Sequence, residues 1–184
     1  MALMEIQASR SRARVGPRGE SILLLDQEPG RWDQLLIRRG LAALQRAAEL
    51  GGGLGPCGLQ AAIAACHARA LTAEETDWKR IASLYDALAQ LMPSPIVELN
   101  GAIAAAMAFG PTAGLALIHR LASEPPLEAY HLLPSVRGDS LFKLGRFAEA
   151  QAEFERAATL THARERELLL DRARGCSGAL AGLA

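Results

Sequence analysis

"GGGLGPCGLQAA", residues 51–62, sets the choice between two folds. Gly53, Gly55 and Gly58 stand at the G-x-G-x-x-G spacing of a dinucleotide-binding turn. An apolar run follows, and Glu74, Glu75 and Asp77 lie about 20 residues on, where that fingerprint places its ribose-binding acid. The chemistry needs a strand in front and a βαβ unit around it, so that the pyrophosphate meets a helix N-terminus at the edge of a parallel sheet. Residues 31–50 in front read instead as a helix. Trp32, Leu35, Leu36, Leu44 and Ala48 recur at a helical period, and Ile37 and Leu41 widen the stripe. Pro56, inside the match, suits the first position of a new helix, where its missing N–H costs nothing. The glycines therefore read as a hinge between helices, and a domain boundary is expected at 51–55.

The rest of the chain supports the helical alternative. Half of the 184 residues are apolar but only 4% are aromatic. Alanine and leucine dominate, and these side chains lose little rotamer freedom in a helix. Twenty basic residues balance 20 acidic ones, so the chain lacks the field that drives phosphate contacts, and no direct nucleic-acid binding is expected. Arg10, Arg12, Arg14 and Arg18 form the one basic cluster, either a solvated loop or a contact for an acidic partner. Cys57, Cys66 and Cys176 follow neither a disulfide nor a zinc spacing. No leader peptide or apolar run of about 20 residues is present, and a cytoplasmic protein with no membrane contact is expected.

Along the chain, residues 1–9 read as a helix with Leu3, Ile6 and Met4 on one side. It starts without an N-cap, as though the chain begins inside a longer helix. Ile22–Asp26 is the only strand-like run and reads as extended or helical. Leu59, Ile63, Cys66 and Ala70 mark a helix over 56–70. Thr72-Ala-Glu-Glu75 has the form of a capping box, which starts the next helix there. Trp78, Ile81, Tyr85, Leu88 and Leu91 line its buried face, and Pro93 ends it. Ser94-Pro95 opens a further helix with Ile96, Leu99, Ile103 and Met107 as its stripe, closed by Gly110-Pro111. Leu115, Ile118 and Leu121 mark the next, up to Pro125-Pro126. A helix over 127–144, kinked at Pro134, then leads through Gly145 into a helix bearing Phe147, Ala150, Phe154 and Ala157. Residues 164–174 form a last capping helix, and 176–184 a frayed tail.

The breaks recur. Gly110 and Gly145 are 35 residues apart, and Pro93 and Pro126 are 33 apart. Two helices per period of about 34 residues point to a tetratricopeptide-like array. Within 131–161, Gly138 takes the small position of the first helix, and Ala150, Phe154 and Ala157 take the small, aromatic and small positions of the second. The expected fold is all-α: antiparallel helix pairs stacked as a right-handed tetratricopeptide-like array over 55–175, preceded by an N-terminal helical segment with an irregular loop over 1–50.

No catalytic constellation emerges. Adjacent Cys66 and His67 on a helix diverge by about 100° and cannot act as nucleophile and base. His119, His131 and His162 lack metal-ligand spacing, Cys57 and Cys66 suit small packing positions, and Glu149 and Glu153 suit a solvated face. Asp77 and Asp86 flank a helix and suit bonds to its ends or to arginines. No nucleophile, base and orienter assemble, and no enzyme activity, metal or cofactor is expected.

Several ordered segments carry a family resemblance: "DQEPGRWDQLLIRRGLAAL" (26–44), "GPCGLQAAIAACHARA" (55–70), "TDWKRIASLYDALAQLMPSPIVELNGAIAAAMAFGPTAGL" (76–115) and "YHLLPSVRGDSLFKLGRFAEAQAEFERAATLT" (130–161). Together they resemble the C-terminal extension of a subgroup of bacterial extracytoplasmic-function sigma factors, over roughly residues 1–173. That resemblance implies a regulatory segment of a transcription initiation factor, with the promoter-binding sigma domains before Met1. The implied partners are those domains, core RNA polymerase, or both. Asp26, Gln27, Arg31, Trp32, Asp33, Trp78, Tyr85, Asp86, Asn100, Arg137 and Asp139 carry the family pattern and are the candidate interaction residues. Core packing competes as a role for Trp78 and Tyr85, as do intramolecular hydrogen bonds for Arg31, Asp33, Asn100, Arg137 and Asp139. Cys57 and Gly101 depart from the family, which more often has tyrosine and arginine there. A free-standing tetratricopeptide adaptor and a small-molecule-sensing helical domain are the alternatives.

Overall fold

A computed structural model describes residues 1–17, 19, 22–51, 53–161 and 163–181, without the side chains of 163, 164, 180 and 181. Among the described residues there are ten α-helices and no strand, so the fold is all-α. The chain divides into two compact units, Met1–Pro93 and Ser94–Ala184.

The first unit holds α1 (Ala2–Ser9), α2 (Gln34–Glu49), α3 (Pro56–Arg69) and α4 (Trp78–Leu91). Pro56 is the first residue of α3, as its missing N–H favours. Leu59 and every residue from Ala61 to Cys66 are buried, because α3 packs on α1, α2 and α4 at once. A helix apolar all round belongs in an interior. The expected boundary at 51–55 is therefore displaced: the glycine linker lies inside the first unit, and the units part at Pro93. Ile6 in α1 is buried against α2, whereas Met4 is exposed.

Helix α2 starts later than the apolar pattern suggests. The Asp33 carboxylate accepts from the N–H groups of Leu35 and Leu36 at 2.9 and 3.1 Å, which fixes Asp33 as the N-cap and leaves Trp32 outside the helix. The buried face becomes Ile37, Gly40 and Leu44, while Leu35 and Ala48 face solvent. The segment 22–26 is not a strand: Leu24–Asp26 is a 3₁₀ turn, as is Pro29–Arg31. The Thr72–Glu75 capping box does not start α4. Glu75 Oε2 accepts instead from the Leu71 N–H at 3.1 Å, inside a loop. Asp77 caps α4 by accepting from the Arg80 N–H at 3.0 Å.

The second unit holds α5 (Pro95–Phe109), α6 (Pro111–Leu121), the short α7 (Pro125–Glu128), α8 (Leu132–Lys143), α9 (Phe147–Thr159) and α10 (Ala163–Ala181). Gly110 and Gly145 make the turns after α5 and α8, with φ of 94° and 74°. Only glycine enters that region freely. Helix α5 packs on α6, α6 on α8, α8 on α9, and α9 on α10. Helix α5 runs unbroken through Gly101, and its Ile96 is exposed. The helix expected over 127–144 is two helices. Its break falls at 129–131, and Pro134 sits in the first turn of α8, where no intrahelical N–H bond is lost.

Two cores fill this unit. Leu99, Ala102, Ile118, Leu121, Leu127 and Leu133 form one, and Leu141, Ala150, Phe154, Ala157, Leu169 and Cys176 belong to the other. A β-carbon on Gly138 would lie 2.9 Å from the Phe154 ring, so the glycine is what lets the aromatic lie on the α8 backbone. The frayed tail expected at 176–184 is helical as far as Ala181. Cys176 is fully buried against α9, and that burial extends the helix. Residues 182–184 lie outside the described residues.

Candidate functional site

In the first unit the candidate residues gather around the segment that leads into α2. Ala13, Trp32 and Ile37 form a small core there, with Leu24, Leu41 and Ala68 against it. The Arg10 guanidinium lies over the Trp32 ring, 5.7 Å from its centroid, a contact worth about 0.5–1 kcal/mol. Arg10 also donates to Gln7 Oε1, and Arg14 donates to the same atom at 2.8 Å. The basic cluster is thus partly spent on internal bonds, contrary to a fully solvated loop. Arg18 lies outside the described residues. Arg31 Nη2 donates to the Arg12 carbonyl at 3.1 Å, and the Asp33 N–H donates to the Ser9 carbonyl at 2.9 Å. Asp26 is exposed at the end of its 3₁₀ turn.

Gln27 is buried and donates through Nε2 to the Ile22 carbonyl at 3.1 Å. With Leu24, Leu25, Pro29, Trp32, His67, Ala70, Thr72, Ala73 and Thr76 it lines a small, half-open pocket with a cavity volume of about 20 Å³. Gln27 Oε1 and Trp32 Nε1 are both buried without a hydrogen-bond partner among the described residues. His67 packs edge-on against Trp78 with ring centroids 5.2 Å apart. Burial, assisted by the positive charge of Arg10, pushes the His67 pKa down to about 4, so the imidazole is neutral at pH 7. Tyr85 is half-buried on α4, and burial raises its phenol pKa. Asp86 is exposed on the same helix.

A second, more open cleft of about 150 Å³ is lined by Cys66, Arg69, Ala70, Glu75, Asp77 and Arg80. Cys66 and His67 thus line different cavities, as neighbours on a helix must. Burial pushes the Cys66 thiol up, away from the thiolate a nucleophile needs. Cys57, expected to pack, is exposed in the first turn of α3.

In the second unit, Arg137 and Asp139 tie the last three helices together. Arg137 on α8 pairs with Glu153 on α9 at 3.2 Å, and Asp139 on α8 pairs with Arg172 on α10. The Arg172 guanidinium also covers the Phe154 ring, 5.0 Å from its centroid. Burial raises the Asp139 carboxyl above its usual range in spite of Arg172, so desolvation outweighs the pairing. Glu153, expected on a solvated face, is largely covered because Arg137 draws it against α8. Glu149 stays exposed and holds Arg146 through two bonds of 2.7 Å. Asn100 is half-buried on α5.

The structure therefore engages Arg31, Asp33, Arg137 and Asp139 in internal bonds, and it leaves Asp26 and Asp86 facing solvent. It also brings in Arg10, read from the sequence only as part of a basic cluster, His67, weighed there only as a partner for Cys66, and Thr76, which no motif singled out. A signal existed for His67, which lies four residues after Ile63 on the buried side of α3. Among the described residues, no group of three or more His, Cys, Asp or Glu side chains could hold a metal ion, and no helix is long and apolar enough to cross a membrane. His162 lies outside the described residues.

Residues 1–48 match the profile of a family described only as a family of unknown function, DUF6596. The match ends one residue before α2 does. The chain is also similar to an uncharacterized protein of Rhizobium meliloti (strain 1021), 43% identical over 159 residues. That alignment covers 86% of this chain and 37% of the relative, so the chain spans little more than a third of the relative's length. No solved structure matches it.

Proposed function

We propose that this chain is the non-catalytic regulatory and protein-interaction segment of an extracytoplasmic-function sigma factor, acting in the cytoplasm on transcription initiation. The observation that carries the reading is the ordered series of motifs between Asp26 and Thr161, which resembles the C-terminal extension of that family in one continuous order. It is supported by the relative, in which sequence similar to most of this chain occupies a minor part of a longer protein. On this reading the helix pairs of the second unit are tetratricopeptide-like. The Gly138–Phe154 contact and the glycine turns at 110 and 145 favour that arrangement.

The partners would be the sigma domains, core RNA polymerase, or both. Arg31 and Asp33 in the first unit, and Arg137 and Asp139 in the second, would each shape the surface of their own unit through their internal bonds. Asp26 and Asp86, exposed and acidic, would contribute to direct recognition. A net charge of zero suits a protein partner better than promoter DNA. The test is direct binding of the immobilised chain to purified sigma domains and, separately, to core polymerase. Binding of either at about tens of micromolar or tighter is expected. Failure of both at that concentration would remove the docking role.

A further inference from the structure

The small cavity in the first unit is not lined as a packing defect would be. A void left by imperfect packing is apolar and stays dry. This one is bounded in part by Gln27, Trp32, His67, Thr72 and Thr76. Gln27 and Trp32 expose only 9% and 5% of their surface, so bulk solvent does not serve their polar atoms. The Ile22 carbonyl can only accept, which fixes the Gln27 amide with its nitrogen on that carbonyl and leaves Oε1 as the unpartnered acceptor. Trp32 Nε1 is the unpartnered donor. A guest that reaches both atoms must accept one hydrogen bond and donate another. The volume of about 20 Å³ suits a single water, which needs at least roughly 10–15 Å³ on this measure.

We infer that this cavity is a hydration site built into the fold, in which one ordered water accepts from Trp32 Nε1–H and donates to Gln27 Oε1. The hydroxyl of buried Thr76, another of the lining residues, can take up its remaining capacity. An apolar guest would leave both atoms unpaired. An anion would be repelled by the Gln27 carbonyl oxygen, and a cation would meet an N–H donor beside Arg10. The water then ties together two points, Gln27 and Trp32, of the loop that precedes α2.

The test uses the full chain in two ways. Magnetisation transfer from water to the Trp32 indole N–H, measured by NMR and assigned by loss of the signal in Trp32→Phe, should carry the sign of a bound water outlasting molecular tumbling. A crystal structure should show one density peak within about 3.2 Å of both Trp32 Nε1 and Gln27 Oε1. That peak should be absent in Trp32→Phe and in Gln27→Leu. The wild-type measurements stand alone if either variant fails to fold. Absence of both transfer and peak overturns the inference, as does direct donation from Trp32 Nε1 to a protein acceptor. A peak larger than one water would likewise overturn it.

Discussion

Phe154 in the second unit and Trp32 in the first are both nearly covered aromatics, and both lie beneath an arginine. Their surroundings otherwise differ. Phe154 sits between two regular helices, placed by a glycine on α8 and roofed by Arg172, which is itself held by Asp139. Trp32 sits at the end of an irregular loop, and its one polar atom has no partner among the described residues. Regular helices satisfy their own backbone, so packing them is a problem of shape. A loop brought into a core must match its polar atoms one at a time. The second unit depends on fit, and the first on polar detail.

Phe154→Ala should have the largest effect. Emptying that site is expected to cost about 3–5 kcal/mol, read by denaturant unfolding. Hydrogen exchange should place the loss of protection in α8, α9 and α10. A loss below about 1 kcal/mol would mean that shape does not dominate there.

The second test is pH. Between the ordinary His67 value of 6.5 and its folded value of about 4, the unfolded chain takes up a proton that the folded chain refuses. The contribution is intact above about pH 6.5 and is lost progressively as the pH falls toward 4. At roughly 1.4 kcal/mol per pKa unit the 2.5-unit difference amounts to about 3.5 kcal/mol. Unfolding midpoints at several pH values should show a slope that His67→Gln flattens. An unchanged slope would remove His67 from the polar interior of the first unit.

Asp33→Ala should have a smaller effect, about 1 kcal/mol, with Asp33→Asn retaining most of the stability, since either side chain can cap α2. If both variants match the parent in the binding assay proposed above, Asp33 shapes the fold without touching a partner. A binding loss in Asp33→Asn without a matching stability loss would place it at the interface.

How much of this was legible follows the same division. Periodicity and proline placement located α3, α5 and α6, and the glycine motif was correctly read as a linker because the run before it has a helical period. The Phe154 environment was readable because its partners recur at a helical spacing. The Thr72 capping box misled because a local pattern can be satisfied by a loop bond, here Glu75 to the Leu71 N–H, while Asp77 competes for the helix start. The end of α10 was missed because alanine and glycine near a terminus suggest fraying, whereas buried Cys176 holds the helix down. Gln27, Trp32 and His67 each carried a signal of their own, but their meeting in one pocket had none. Gln27, Trp32, His67 and Thr76 meet only through the path of an aperiodic loop, and that path is not encoded in any spacing.

One backbone contact bears on how α1 and α2 are held together. Because the Asp33 N–H meets the Ser9 carbonyl at 2.9 Å, everything between them is a loop closed at its base. The entropy of closing such a loop grows only logarithmically, by about 0.6 kcal/mol for each doubling of its length. Within that loop the Ile22 N–H donates to the Arg14 carbonyl at 2.9 Å, so a second, shorter loop is closed inside the first. The two nested bonds hold the ends of this connection together, so α1 and α2 keep their register through backbone contacts rather than through the length of the chain between them.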